Sequence, residues 1–463
     1  MKRTDLRVWT RVGVLAAALV IAPAAAAQTN PTQTAPAQTA PAGTAVAQAS
    51  ASAPARAVTL EEALRLAHES NPQVVSATGA ISSAQAAERS ARGAYLPSLS
   101  LNAGTSLAGS NTIGTPDVGT NLGGGTSDSY SAGLSASWEV YTGGRRGAER
   151  EAAQAETRAA QASLTAQRAN VSLDVERAFY EVLRTEDLAD VASSRIQRAE
   201  EGVTAAQQRL QLGSATRSDL LRSQLELNTA RGDLLQAQTE RDAAQLSLGR
   251  LVGADAAITA TRGAESQVDA MSDAEAFALL ADIEREAPAV LAARAQTESA
   301  AAGVDAARSQ YLPSIRVSSG YDWQNQNPVF DQSRTNWSVG LGVSYPLFNG
   351  FQREESVVRA RAQQTASQAQ LADAVRGVRT DAARALGQLR LAQERITLAE
   401  QAATTAQEDL RVQRERYRLG STTVLELLTS QEALVKAETD VVTARYDYQV
   451  SRAELQALTG RAL

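Results

Sequence analysis

LGSTTVLELL, Leu419–Leu428, breaks a long helical pattern with Gly420 and Ser421 and then sets one carboxylate, Glu426, in an apolar run. LGSATRSDLL, Leu212–Leu221, does the same 207 residues earlier, with Asp219 at the equivalent position. A helix break made twice is the mark of an internal repeat, and the repeat decides the fold. Tyr95-Leu96-Pro97-Ser98 returns as Tyr311-Leu312-Pro313-Ser314, and Asn71-Pro72 as Ala287-Pro288, both 216 residues on. Val140-Tyr141-Thr142-Gly143 returns as Leu347-Phe348-Asn349-Gly350, and Leu248 to Gly253 as Leu455 to Gly460, both 207 residues on. The first copy therefore carries the longer loop between these anchors. The chain divides into copies at 59–253 and 272–463, joined by a linker at 254–271.

Composition limits what such a repeat can be. The 463 residues are 43% hydrophobic but only 4% aromatic, so large side chains for compact cores are scarce. Abundant Ala instead suits helices lying close together. There is no Cys, which excludes disulfides, thiolate metal sites and thiol nucleophiles, and the one His is His68. A lone His builds no metal site and reads as a polar helix residue. With no phosphate-binding loop or paired-acid constellation, enzyme chemistry has no carrier, and no cofactor or metal is expected.

Residues 1–27 read as a secretory signal peptide: MKRTDLR is the basic start, Val12 to Ala22 the apolar core, and Ala25-Ala26-Ala27 the cleavage site. Net charge is −6, of which that segment supplies +3, leaving −9, so nucleic acid is not an expected partner. Residues 28–58, rich in Ala, Pro, Thr and Gln, read as a disordered tail. No later run approaches the ~20 apolar residues of a membrane-spanning helix.

Each copy opens with a short helix signalled by a capping box, Thr59 with Glu62 and Ser272 with Glu275, and starts a second helix at Pro72 or Pro288. The period then changes to two. Leu99, Leu101, Ala103, Thr105 and Leu107 alternate with Ser, Asn and Gly, as do Tyr130, Ala132, Leu134, Ala136, Trp138 and Val140. Ile315, Val317, Tyr321 and Trp323, then Trp337, Val339, Leu341, Val343, Tyr345 and Leu347, repeat the pattern. These are four strands in two hairpins, about 96–141 and 312–348, with loops near 108–128 and 324–334. A half-buried soluble sheet explains the alternation, and so does a transmembrane barrel. Runs of ~10 to 13 residues favour the barrel, because tilted strands of that length cross a bilayer. Trp138, Trp323 and Trp337 near strand ends on the apolar face, with Tyr345, resemble interfacial girdles. Four strands cannot close, so several copies are needed; eight strands in a dimer or twelve in a trimer both satisfy this pattern.

After each hairpin, Gly144 to Leu212 and Gly350 to Leu419 form helical patterns roughly 100 Å long at 1.5 Å per residue. Val175, Val182, Ala189, Ile196, Val203 and Leu210 recur every seven residues, as do Ala382, Leu389, Ile396, Ala403, Leu410 and Tyr417. The return helices carry Leu220, Leu227, Leu234 and Leu248, and Leu427, Leu434, Val441, Tyr448 and Leu455. Sustained heptads predict coiled coils.

With these elements in order, TLEEALRLAHESNPQV, YLPSLSL, WEVYTGG, YRLGSTTVLELL and ARYDYQVSRAELQALTG resemble the TolC-type outer-membrane efflux protein family, over essentially all of Thr59 to Gly460. The resemblance implies a mainly α fold with a transmembrane β part. Three tandem-duplicated chains would form a 12-stranded β-barrel continued by a 12-helix coiled-coil tunnel. It also implies an outer-membrane channel with a periplasmic extension, serving tripartite efflux or type I secretion. Its partners would be a periplasmic adaptor protein and an inner-membrane pump, with outer-membrane lipid around the barrel. The competing reading is a non-transporting periplasmic or cell-surface structural coiled coil.

By the same resemblance the helix breaks form the periplasmic aperture. Glu426 falls on its acidic lining, and Asp219 and Tyr417 on a latch between coils. Two positions depart: Thr422 stands where a latch Arg is usual, and Thr429 where a second acid is. Gly213, Ser214, Gly420 and Ser421 fall on tips that contact the adaptor. Read from the residues alone, Gly213 and Gly420 are left-handed helix C-caps, Asp219 and Glu426 are solvated first-turn acids, and Tyr417 is a seam residue.

Overall fold

The computed structural model describes residues 56–110, 125–263, 282–326, 329 and 333–460, all within the unit Ala53–Leu463. The expected signal peptide, the tail up to residue 55, Ser272 with Glu275, and most of the hairpin loops lie outside them. The chain is mainly helical, and its elements repeat. In the first half, β1 (Arg56–Val58) precedes α1 (Leu60–Ser70), α2 (Pro72–Gly93), β2 (Ser98–Ser110), β3 (Gly125–Tyr141), α3 (Arg145–Gln211) and α4 (Arg217–Leu251). After β4 (Ile258–Ala260) come α5 (Pro288–Arg308), β5 (Ser314–Asn325), β6 (Arg334–Ser344), α6 (Gln352–Arg418) and α7 (Val424–Thr459).

Local chemistry sets these boundaries. Pro72 and Pro288 each occupy the first turn of a helix, where a missing N–H costs nothing. At α1 the expected capping box is only half formed. Thr59 Oγ1 accepts from the Glu62 amide at 3.3 Å, but the Glu62 carboxylate pairs with Arg56. β3 begins at Gly125 and β2 runs to Ser110, so the first loop is shorter than 108–128. β6 ends at Ser344, ahead of the expected Tyr345 and Leu347, because Pro346 has no N–H to extend a ladder. The turn from β3 into α3 passes through Gly143 at φ +59°, where a Cβ would stand 2.2 Å from Leu312 Cβ; only glycine fits. In the second copy Phe351 itself takes a positive φ of 64°, with its ring edge-on to Phe348 at 5.3 Å.

The four long strands form one antiparallel sheet in the order β2-β3-β5-β6. Leu101, Leu134, Tyr321 and Trp337 are paired in one row across all four strands, and their side chains are exposed. The neighbouring row, Ser100, Ser135, Gly320 and Ser338, belongs to the polar face, where Ser100 and Ser135 share a 2.8 Å hydrogen bond. β2 and β6 each have one edge unpaired among the described strands.

Helix α3 is the hub, packing on α1, α2, α4, α5 and α7, whereas α6 packs on α5 and α7. Its expected heptad residues Val175, Val182 and Ala189 are buried, with Val171, Thr185, Ala199 and Ala206. Arg195 bridges α3 to Glu226 and Asp233 of α4 at 2.8 and 2.6 Å, and Arg198 reaches Glu438 of α7 through both nitrogens at 3.1 and 2.7 Å. Each half has its own core at this level. One gathers Val58, Val74, Val175, Phe179, Val182, Leu248 and Ile258 around β1 and β4; the other gathers Ile283, Val290, Ala382, Leu389, Tyr448 and Leu455. His68 lies beside the first core, sharing a 2.9 Å hydrogen bond with Ser172, as a polar helix residue should.

Leu248 and Leu455, equivalent by the 207-residue offset, are both 0% exposed. Either Leu→Ala substitution should cost about 2–5 kcal/mol, read as a lower denaturation midpoint of the detergent-solubilised protein. Unchanged midpoints would contradict this account of the two cores.

Candidate functional site

The predicted aperture and tip residues lie at the two helix breaks, whose C-terminal caps are built alike. At the first, the amide of Gly213 donates to the Leu210 carbonyl at 3.0 Å and that of Ser214 to Arg209 at 2.9 Å. Gly213 sits at φ +73°. At the second, Gly420, at φ +77°, donates to Tyr417 at 3.0 Å and Ser421 to Arg416 at 2.8 Å. This pair of crossing bonds is the Schellman motif, which uses carbonyls that a helix end leaves unpaired. Ser214 and Ser421 add their hydroxyls to the same carbonyls at 3.2 and 3.0 Å. The four tip residues are thus helix caps in their local chemistry.

The return helices start with threonine caps, and here the copies diverge. Thr216 Oγ1 accepts from the Asp219 amide at 3.2 Å, and Asp219 Oδ2 accepts from the Thr216 amide and hydroxyl, both at 2.9 Å. This reciprocal box occupies Oδ2 of the Asp219 carboxylate. The Thr216 amide holds its pKa below the ordinary value; the Thr216 hydroxyl and the Arg222 and Arg209 cations assist against partial burial. Thr423 likewise accepts from the Glu426 amide at 3.3 Å. Glu426, one methylene longer, does not fold back on its cap; its carboxylate takes the hydroxyl of Thr422. Thr422, where the family resemblance placed an Arg, therefore serves as a donor to Glu426. Thr429 spends its hydroxyl on the Leu425 carbonyl of its own helix at 3.0 Å. Glu426 and Thr429 are exposed, as are Leu212, Leu221, Leu419 and Leu425 around them.

Tyr417 is buried, packed on Leu410, Val424, Leu427 and Leu434. No hydrogen bond joins its hydroxyl to Asp219 within the protomer. They do interact electrostatically: burial pushes the Tyr417 phenol up, the Arg209 cation opposes this, and the Asp219 charge reinforces it. Arg209, which sequence reasoning passed over, lies across the Tyr417 ring, 4.3 Å from its centroid. A basic residue in the last turn of a helix was the available signal; that its partner lies in the other copy was not.

At the sheet, Trp138 and Trp337 are exposed on the apolar face and Trp323 is partly exposed, each within three residues of a strand end. Trp138 belongs to the helix-proximal end and Trp323 and Trp337 to the loop-proximal end. Tyr345 is exposed in the turn beyond β6. Among the described residues no cluster of His, Cys, Asp or Glu could hold a metal ion, and no helix is long and apolar enough to cross a membrane.

Comparison with known proteins places these features in one class. Outer membrane protein TolC of Vibrio cholerae serotype O1 is 24% identical over 415 residues, covering 87% of this chain and 91% of its own. Protein CyaE of Bordetella pertussis is 28% identical over 405 residues, covering 86% and 82%. In fold, the chain is similar to the outer membrane protein VceC of Vibrio cholerae, with a TM-score of 0.71 at 22% identity over 87% of this chain and 97% of that one. Residues 63–254 and 279–461, one stretch in each copy, match the family described as outer membrane efflux protein, and the chain belongs to that family.

Proposed function

We propose that this outer-membrane efflux protein works as a passive exit duct. In this reading three copies join four-stranded sheets into a 12-stranded β-barrel, and their α3, α4, α6 and α7 continue it as a 12-helix tunnel in the periplasm. The observation that carries the reading is that the protomer is open on two sides in both layers. Among the described strands the open sides of the sheet are β2 and β6. In the helical layer they are α4, which packs chiefly on α3, and α6, which packs on α5 and α7. Leu221, Leu225, Leu235 and Leu246 are exposed on α4, and at 100° per residue they share one face. Leu391, Leu398 and Val412, spaced by multiples of seven, are exposed on α6. A second copy set against these edges pairs strands and covers both stripes at once. Such a contact joins unlike surfaces, so it repeats until a ring closes. The family resemblance supports three copies, and twelve strands would leave an open bore where eight would be filled by side chains.

The sheet faces support the same orientation. Leucine, valine, tyrosine and tryptophan would meet lipid, with aromatic residues at both ends of the strands. Ser98, Ser137, Ser318 and Gly340, with the parallel row from Ser100 to Ser338, would face a wet lumen with little side-chain bulk. A non-transporting coiled coil accounts for none of this, and membership of an efflux family removes its support.

At the other end, the two helix breaks would form the aperture. Three Glu426 carboxylates around one axis would attract cations, and Thr429 adds no second acid ring. Asp219, Tyr417 and Thr422 would hold the aperture's shape. Gly213, Ser214, Gly420 and Ser421, with the exposed leucines beside them, would meet a periplasmic adaptor that couples the duct to an inner-membrane pump. Energy and cargo choice belong to those partners. The leader would be cleaved after Ala27, and the repeats would span 59–253 and 272–463.

Two measurements follow. Leu398→Asp on the α6 stripe should convert an assembled species into monomer on cross-linking and non-heated gels; full assembly would remove that stripe from the interface. In planar bilayers the purified protein should conduct, with a divalent-cation block that weakens in Glu426→Ala. No channel sinks the duct reading, and an unchanged block removes Glu426 from the aperture.

A further inference from the structure

One side chain joins the two copies of the repeat at the tip. Arg209, in the last turn of α3, stacks on the Tyr417 ring, donates from Nη1 to the Tyr417 carbonyl at 2.6 Å and from Nη2 to the Ser214 carbonyl at 3.0 Å. A Cβ on Gly420 would lie 3.6 Å from the same Nη2, so the guanidinium also lines the second turn. Tyr417 is in the last turn of α6, where its carbonyl also accepts from Gly420, and Ser214 is in the turn that follows α3, so the guanidinium sits where helix dipoles favour a cation. Tyr417 presents one face of its ring to this cation while the ring packs into Leu410, Val424, Leu427 and Leu434. The repeat is not symmetric here: Arg416, the counterpart of Arg209, is exposed.

We infer that Arg209 is the clasp that holds the two tips of one protomer together in the closed aperture, gripping Tyr417 through its ring and its carbonyl. This rests on the reading of the tip as the gate. Opening that separates α3 with α4 from α6 with α7 must break the stack and the Arg209–Tyr417 hydrogen bond together. Asp219 does not hold Tyr417: its Oδ2 caps Thr216 and no bond joins it to the Tyr417 hydroxyl. Thr422 cannot either, having neither charge nor reach and already bonding Glu426. Arg209 is therefore a positioning residue: it touches no cargo and acts through Tyr417. Arginine suits the role because its planar fork stacks and donates in two directions, which an ammonium does not.

The test is single-channel recording of the full-length protein, with non-heated gels to confirm assembly. Arg209→Ala, which removes the stack and both hydrogen bonds, should raise open conductance or open probability at least about tenfold, the scale of losing a charge-assisted hydrogen bond, and Tyr417→Leu, which removes the stack but keeps the carbonyl, should raise it less. The double variant should go no further than Arg209→Ala alone, since that substitution already removes the stack. Tyr417→Phe should behave as wild type, and Arg209→Lys, the milder variant should Arg209→Ala fail to assemble, should be intermediate. Millimolar methylguanidinium should re-close Arg209→Ala but leave Tyr417→Leu open, a rescue that a purely structural cap would not give. An Arg209→Ala channel as closed as wild type, additive single effects, or Tyr417→Phe opening as far as Arg209→Ala would overturn the clasp. A wild-type protein that forms no channel would instead overturn the duct reading on which it rests.

Discussion

Backbone amides and carbonyls at a strand edge have no partners in hydrocarbon, and leaving them bare there costs several kcal/mol per group. This constraint governs the rest of the molecule. A sheet of β2, β3, β5 and β6 with an apolar exposed face belongs in lipid, yet its two outer strands cannot stay there unpaired. The same two sides are open in the helical layer, where leucine stripes on α4 and α6 lie uncovered. One contact between unlike edges would satisfy both layers, so in the proposed assembly closure of the barrel and closure of the tunnel would be the same event.

Much of this was legible in the sequence because it depends on local chemistry repeated twice. The change of period at Ser98 and Ser314 placed the strands, Pro72 and Pro288 placed helix starts, and Gly213 and Gly420 placed the turns. Each of these is decided by the residue's own conformational limits. What the sequence hid depends on competition between nearby groups. Glu62 was read as half of a capping box, but Arg56 offered its carboxylate a stronger partner. Tyr345 was read as a strand residue, but Pro346 ended the ladder first. The tip was hardest: Arg209 and Tyr417 are 208 residues apart, and no period links a side chain on one copy to a ring on the other.

The tip also separates two kinds of acid that looked equivalent. Asp219 and Glu426 occupy the same position in the repeat, and both follow a threonine cap. The shorter chain of Asp219 closes its box and becomes part of the helix end. The longer chain of Glu426 turns to Thr422 and stays exposed, so it is the one free to meet ions. A single methylene thus divides a structural acid from a candidate aperture acid.

The central claim is that β2 of one copy pairs with β6 of the next. The chain has no cysteine, so introduced thiols report without background. One cysteine at Ser100 on β2, combined with a cysteine scan along β6 through Ser338, should give disulfide-linked species when oxidised in the membrane. The account predicts a ladder of one, two and three chains that stops at three, at one or two neighbouring β6 positions. Monomer at every β6 position, or a ladder that runs past three, would contradict it.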